Sequence, residues 1–200
     1  MGGDGIRERI RTFIAIELPE EVQRGLARVQ GELKRSHPPV RWVSPEKIHV
    51  TLKFLGEIPA EQVETVCQAT DRVAASTAPF ELEAAGAGVF PNLRRPRVVW
   101  VGVQGDLSAL HALQASLERE LAQAGFPREE RPFSPHLTLG RVQERAAPAE
   151  ARSLGQAVAA LEVPSLGRWR VEQVVVMRSD LRPEGPMYTP LRVLRLGGGS

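Results

Sequence analysis

The stretch KIHVTLKFLG, residues 47–56, sets a histidine and a threonine two apart inside a run that otherwise alternates like a β-strand. SPHLTLGRV, residues 134–142, repeats the pattern His, apolar, Thr, Leu at residues 136–139. The chain has four histidines in 200 residues, and two of them hold corresponding places in two similar segments.

Working outward from the first segment, TFIAIEL (12–18) is a short apolar strand, and Pro19 opens a helix. Glu20 and Glu21 lie in its first turn, where they favour the positive end of the dipole, and Val22, Leu26, Val29 and Leu33 form its buried stripe. A short strand RWV (41–43) precedes the histidine segment. A helix from about Pro59 follows, with Val63, Val66, Cys67, Thr70 and Val73 on one face, and then a strand FELEAAGAGVF (80–90).

From residue 96 the order recurs. RVVWVGV (97–103) is a strand, and Asp106 caps a helix striped by Leu110, Leu113, Leu117 and Leu121 that Gly125 ends. After the second histidine segment come a helix from about Pro148, with Leu154, Val158 and Leu161, and a strand WRVEQVVVM (169–177). The offsets agree: 87 residues from His49 to His136, 89 from Pro59 to Pro148, and 89 from Phe80 to Trp169.

The expectation is an α+β fold of two pseudo-symmetric lobes, each with a mainly antiparallel sheet and flanking helices, around a central cleft. It forms one bilobal domain over 1–196 with an internal duplication of about 11–90 and 96–180, and 197–200 (GGGS) reads as a flexible tail.

At 42% hydrophobic the chain buries a substantial core, and a net charge of +2 permits a phosphate-bearing partner without demanding one. Cys67 is the single cysteine, which excludes an intramolecular disulfide and a cysteine-based zinc cluster and fits a reducing compartment; it reads as a core residue. The opening MGGDGIRERI has no apolar run and carries Ile6 where myristoylation wants Ser or Thr. No segment approaches the ~18 consecutive apolar residues of a membrane helix. The expected setting is the cytoplasm, with no membrane association, as a monomer without an obligatory protein partner.

Strand alternation puts His49, Thr51 and Lys53 on one face, and His136, Thr138 and Gly140 likewise. A lone histidine there is ordinarily a satisfied polar residue on a half-buried strand; a duplicated pair is not so easily dismissed. Two histidines are too few ligands for a metal, and no carboxylate repeats beside them, so neither metal nor cofactor is expected. No GxSxG elbow or placed cysteine offers a nucleophile. Paired acid and base catalysis fits better, because an imidazole pKa near ~6.5 supplies both forms at neutrality, and the threonine hydroxyls can donate to an anion held between the lobes.

HVTL at 49–52 and HLTL at 136–139, with RTFIAIELPEEV, RWVSPEKIHVTLKFLGEI, GVFPNLRRPRVVWVGV, RPFSPHLTLGRV and GPMYTPL in order, resemble the two-histidine phosphoesterases, specifically the RNA 2',3'-cyclic phosphodiesterases once named 2'-5' RNA ligases. The resemblance implies metal-independent hydrolysis of a 2',3'-cyclic phosphodiester, on RNA ends or nucleotides, to a 2'-phosphate. It implies His49 as proton donor to the departing 3' oxygen, His136 as the acceptor that activates water, and Thr51 and Thr138 as phosphoryl-oxygen ligands. It also implies that the same pair can make and reverse 2'-5' linkages. By resemblance Arg141 contacts the phosphate and Phe54 packs on a base.

Phe54 and Arg141 stand five residues after their histidines, an odd offset that turns them away from the cleft unless a bulge redirects them. Trp42 and Tyr188 read equally as base-stacking or packing residues, and Arg94, Arg95 and Arg97 as a solvated turn or an RNA-backbone contact. His37 and His111 fall outside the duplicated pattern. The competing reading is a noncatalytic RNA- or nucleotide-binding module using the same cleft.

Overall fold

The computed structural model describes residues 8–183 and 185–197. Residues 1–7, 184 and 198–200 lie outside the described residues, so of the expected tail 197–200 only Gly197 is described, its amide donating to the Ala74 carbonyl at 3.0 Å. Nine strands and four helices run in the order β1 (Arg9–Glu17), α1 (Glu20–Lys34), β2 (Val40–Trp42), β3 (His49–Pro59), α2 (Val63–Ala75), β4 (Phe80–Phe90), β5 (Val98–Gly105), α3 (Leu107–Gln123), β6 (His136–Val142), α4 (Pro148–Ala160), β7 (Arg168–Val171), β8 (Gln173–Arg182) and β9 (Gly185–Arg195) among the described residues. The fold is α+β, with two antiparallel sheets ordered β3-β1-β8-β9 and β2-β6-β5-β4-β7.

The helices form where the periodicity puts them. Val22, Leu26, Val29 and Leu33 of α1 and Leu110, Leu113, Leu117 and Leu121 of α3 are all buried. The Asp106 carboxylate accepts from the Ala109 amide at 2.9 Å, satisfying one of the free N–H groups that start α3. Gly125, at φ +91°, ends the following turn in the left-handed region that favours glycine. Before α2 the chain makes a short 3₁₀ turn at Ala60–Gln62, so the α-helix proper starts four residues past Pro59. Cys67 is buried in the main core, where burial pushes its thiol pKa up.

Two features depart from the reading of the sequence. WRVEQVVVM is not one strand: it breaks at Glu172 into β7, which pairs with β4, and β8, which pairs with β1 in the other sheet. The residues Gly185–Arg195 form a further strand, β9. It carries Pro186 and Pro190, which an edge strand tolerates because one side of its backbone needs no partner. Neither sheet is built from one half of the chain alone: β4 joins β5 and β6, and β8 joins β1 and β3.

Candidate active site

His49 and His136 begin β3 and β6 at matching points, opposite Glu17 and Gly102 respectively. His49 Nδ1 lies 2.9 Å from the Lys47 carbonyl oxygen, and His136 Nδ1 lies 2.7 Å from that of Ser134. A carbonyl only accepts, so each Nδ1 carries the hydrogen and donates it. This leaves Nε2 on both rings for the cavity of about 390 Å³ that they line. Thr51 and Thr138 line it too, and among the described residues neither hydroxyl has a hydrogen-bond partner.

The alternation that groups Lys53 with His49 and Thr51 does not hold. Between β1 and β3 the register passes from Ala15 opposite Thr51 to Ile14 opposite Lys53, so Leu52 is an extra residue. Between β5 and β6 it passes from Trp100 opposite Thr138 to Val99 opposite Gly140, so Leu139 is extra in the same way. Each is a β-bulge at the fourth residue of its motif, and each reverses the side-chain alternation beyond it.

Lys53 and Gly140 therefore turn inward while Phe54 and Arg141 turn into the cavity. Lys53 is buried and donates from Nζ to Glu118 Oε2 at 2.8 Å and to the Pro127 carbonyl at 2.7 Å. At Gly140 a Cβ would meet Val40 Cγ1 at 2.5 Å and the Arg41 carbonyl oxygen at 2.9 Å, so only glycine lets β2 lie this close.

Trp42 and Tyr188 line the same cavity, so the two histidines, the two threonines, Phe54, Arg141, Trp42 and Tyr188 meet in one place. Their surroundings differ. Phe13 stacks on His49 at 4.8 Å between ring centres, and Tyr188 meets the same imidazole edge-on at 5.3 Å. Burial in this cluster lowers the His49 pKa from 6.5, opposed by the bond to the Lys47 carbonyl, which favours the charged ring. His136 meets Phe90 edge-on at 5.0 Å, and Phe90 packs on Trp100. Burial raises the Tyr188 phenol pKa, against the opposing pull of Arg141 and Arg11. Trp42 also carries the Lys34 ammonium 5.5 Å from its ring centre.

Sequence reasoning missed Phe13, Arg11, Arg41 and Lys47 in the lining. Arg11 sits 4.4 Å above the Phe54 ring, and nothing local in the sequence marks it. Arg94, Arg95 and Arg97 do not line the cavity; the Asn92 side chain accepts from the amides of the first two, each at 3.1 Å, and all three are exposed. His37 and His111 are also outside it. Among the described residues no group of three or more His, Cys, Asp or Glu is placed to hold a metal ion, and no helix is long and apolar enough to cross a membrane.

An RNA 2',3'-cyclic phosphodiesterase of Methanothermobacter thermautotrophicus is 39% identical over 191 residues, covering 94% of this chain and 100% of the relative. One from Thermus thermophilus is 36% identical over 196 residues, covering 94% and 91%. Among solved structures, TT0787 of Thermus thermophilus superposes with a TM-score of 0.77 at 32% identity, covering 96% of this chain and all of that one. E. coli LigT complexed with 3'-AMP superposes with a TM-score of 0.73 at 28% identity, covering 94% and 99%. The sequence model of the LigT-like phosphoesterases matches residues 16–100 and 101–188, and with relatives this similar along nearly the whole length, the chain belongs to the LigT-like phosphoesterase family.

Proposed function

We propose that this protein hydrolyses 2',3'-cyclic phosphodiesters, on RNA ends or nucleotides, to 2'-phosphates by metal-independent acid–base catalysis. The observation that carries the reading is the matched pair of Nδ1–H···O=C bonds, which frees two imidazole Nε2 atoms toward one cavity beside two unengaged hydroxyls. Relatives bearing the same activity in their names, and a related protein crystallised with 3'-AMP, support a nucleotide as the occupant.

In the proposed cycle His136 Nε2 takes a proton from water as the water oxygen attacks phosphorus. The bond from phosphorus to the 3' oxygen breaks, and His49 Nε2–H protonates that oxygen, leaving a 2'-phosphate and a 3'-hydroxyl. Thr51 and Thr138 donate to the non-bridging oxygens, and Arg141 presents its guanidinium to the same charge. Phe54, Trp42 and Tyr188 offer faces for the nucleobase. A cyclic phosphodiester is an anion, so its arrival restores to His49 the charged form that burial disfavours. With an RNA 5'-hydroxyl in place of water, the same proton transfers make a 2'-5' linkage. We further read the protein as a cytoplasmic monomer.

The test is incubation of cyclic-phosphate-terminated RNA with the protein in excess chelator, with product analysis by chromatography. A 2'-phosphate is expected. A 3'-phosphate product, or activity that appears only with an added divalent ion, overturns the mechanism; tight binding without any product leaves a binding module.

A further inference from the structure

In β2, Arg41 lies directly opposite Arg141 of β6 in register. Directly opposed residues of antiparallel strands project to the same face, and like charges there are destabilising. Both arginines are exposed, both line the cavity, and among the described residues neither is paired with a carboxylate. Arg11 and Lys47 complete four permanent positive charges on the lining. The chain has 24 acidic residues, yet no Asp or Glu is among the described residues that line the cavity. A cyclic phosphodiester brings a single negative charge. One guanidinium and the imidazolium required of His49 already answer it, so the remaining positive charge is unmatched by the reacting group alone.

We propose that Arg41 holds a second phosphate, the one on the 5' side of the terminal nucleotide, so that the preferred substrate is the end of an RNA chain rather than a free 2',3'-cyclic nucleotide. This rests on the phosphodiesterase reading for its orientation: the cyclic phosphate closes the 3' end, so the next phosphate along the chain lies 5' of the bound nucleoside. Arg141 serves the reacting phosphate and its cross-strand neighbour the next one. The guanidinium fork suits a phosphate bidentately, and the cost of setting two arginines side by side in the free protein is relieved when anions lie on both.

The test compares adenosine 2'-phosphate with adenosine 2',5'-bisphosphate, which differ by the one phosphate in question and neither of which turns over. Calorimetry on wild type, Arg41→Ala and Arg41→Gln is run at several salt concentrations, with thermal melts to show that each variant folds. Wild type is expected to prefer the bisphosphate by about tenfold, with a salt slope steeper by roughly 0.7 for the extra contact. In both variants the affinity ratio should fall to within about twofold of one. A wild-type ratio near one, or a ratio that survives both substitutions, overturns the proposal. Because the ligands are not hydrolysed, the result stands whether or not the protein proves to be a phosphodiesterase; failure of that reading shows separately, as no product from cyclic-phosphate-terminated RNA.

Discussion

Lys53→Met tests whether the bulge that turns Phe54 into the cavity is pinned from behind. The Lys53 side chain is 5% exposed and Glu118 14%, and the two are joined at 2.8 Å. Methionine fills a similar volume without the charge, so the change strands a largely buried carboxylate. Removing one partner of a buried ion pair costs about 3–5 kcal/mol. Glu118 keeps a bond from the Glu129 amide at 3.2 Å and some solvent, which places the loss at the low end, about 3 kcal/mol. With a urea m-value of about 2 kcal/mol/M, the unfolding midpoint should drop by roughly 1.5 M. Lys53→Met/Glu118→Leu leaves no orphaned charge and should recover most of the loss. On a cyclic nucleotide the single variant should raise KM more than it lowers kcat, since it loosens Phe54 and leaves both histidines in place. A loss under about 1 kcal/mol, or a double variant as unstable as the single, would refute the argument that this pair is a buried pin.

Burial should make His49 titrate below 6.5 in the free protein, read by NMR of its ring protons, and added 2'-nucleotide should raise that midpoint. Because the folded state then binds fewer protons at His49 than the unfolded chain, this residue's contribution to stability is present above 6.5 and lost as pH falls, so a nucleotide should raise Tm more at acid than at alkaline pH. A free-protein midpoint at or above 6.5 would remove the basis for both. His49→Ala should nearly abolish hydrolysis of a 2',3'-cyclic phosphate yet keep far more relative activity on a nitrophenyl phosphodiester, whose leaving group needs no proton, whereas His136→Ala should fail on both; a general acid or base contributes ~100- to 10,000-fold, and the reverse pattern would exchange the two roles. Thr51→Val keeps the strand shape and removes one donor to the phosphoryl group, so kcat/KM should fall roughly ten- to a hundred-fold; an unchanged rate would make Thr51 an ordinary strand residue.

The helices and most strands could be read because their cause is local: α1 and α3 announce themselves by apolar stripes, and the histidine pair by its repetition. The break at Glu172 could not, because an apolar run specifies a strand but not its neighbour, and β8 finds β1 more than 150 residues away, with Thr12 opposite Arg178. Strand β9 was hidden by Pro186 and Pro190, which weaken a strand signal everywhere except at an edge. The placement of Phe54 and Arg141 depended on bulges at Leu52 and Leu139 that no residue type announces. Their equal offset from the two histidines was the one trace they left in the sequence.

The crossing of β8 into the sheet of β1 has a consequence for how the chain is made. On the ribosome, β1 emerges early and can pair with β3, but its other side waits for residues 173–182. At ~5–20 residues per second, that wait is on the order of ten seconds or more. Throughout it, a strand carrying Phe13, Ile14, Ala15 and Ile16 presents an open edge of the kind that recruits other chains. A nascent chain halted at Val171 would already hold both imidazoles and still lack the strand that completes the sheet beneath one of them. Both histidines are translated well before the site they share can form.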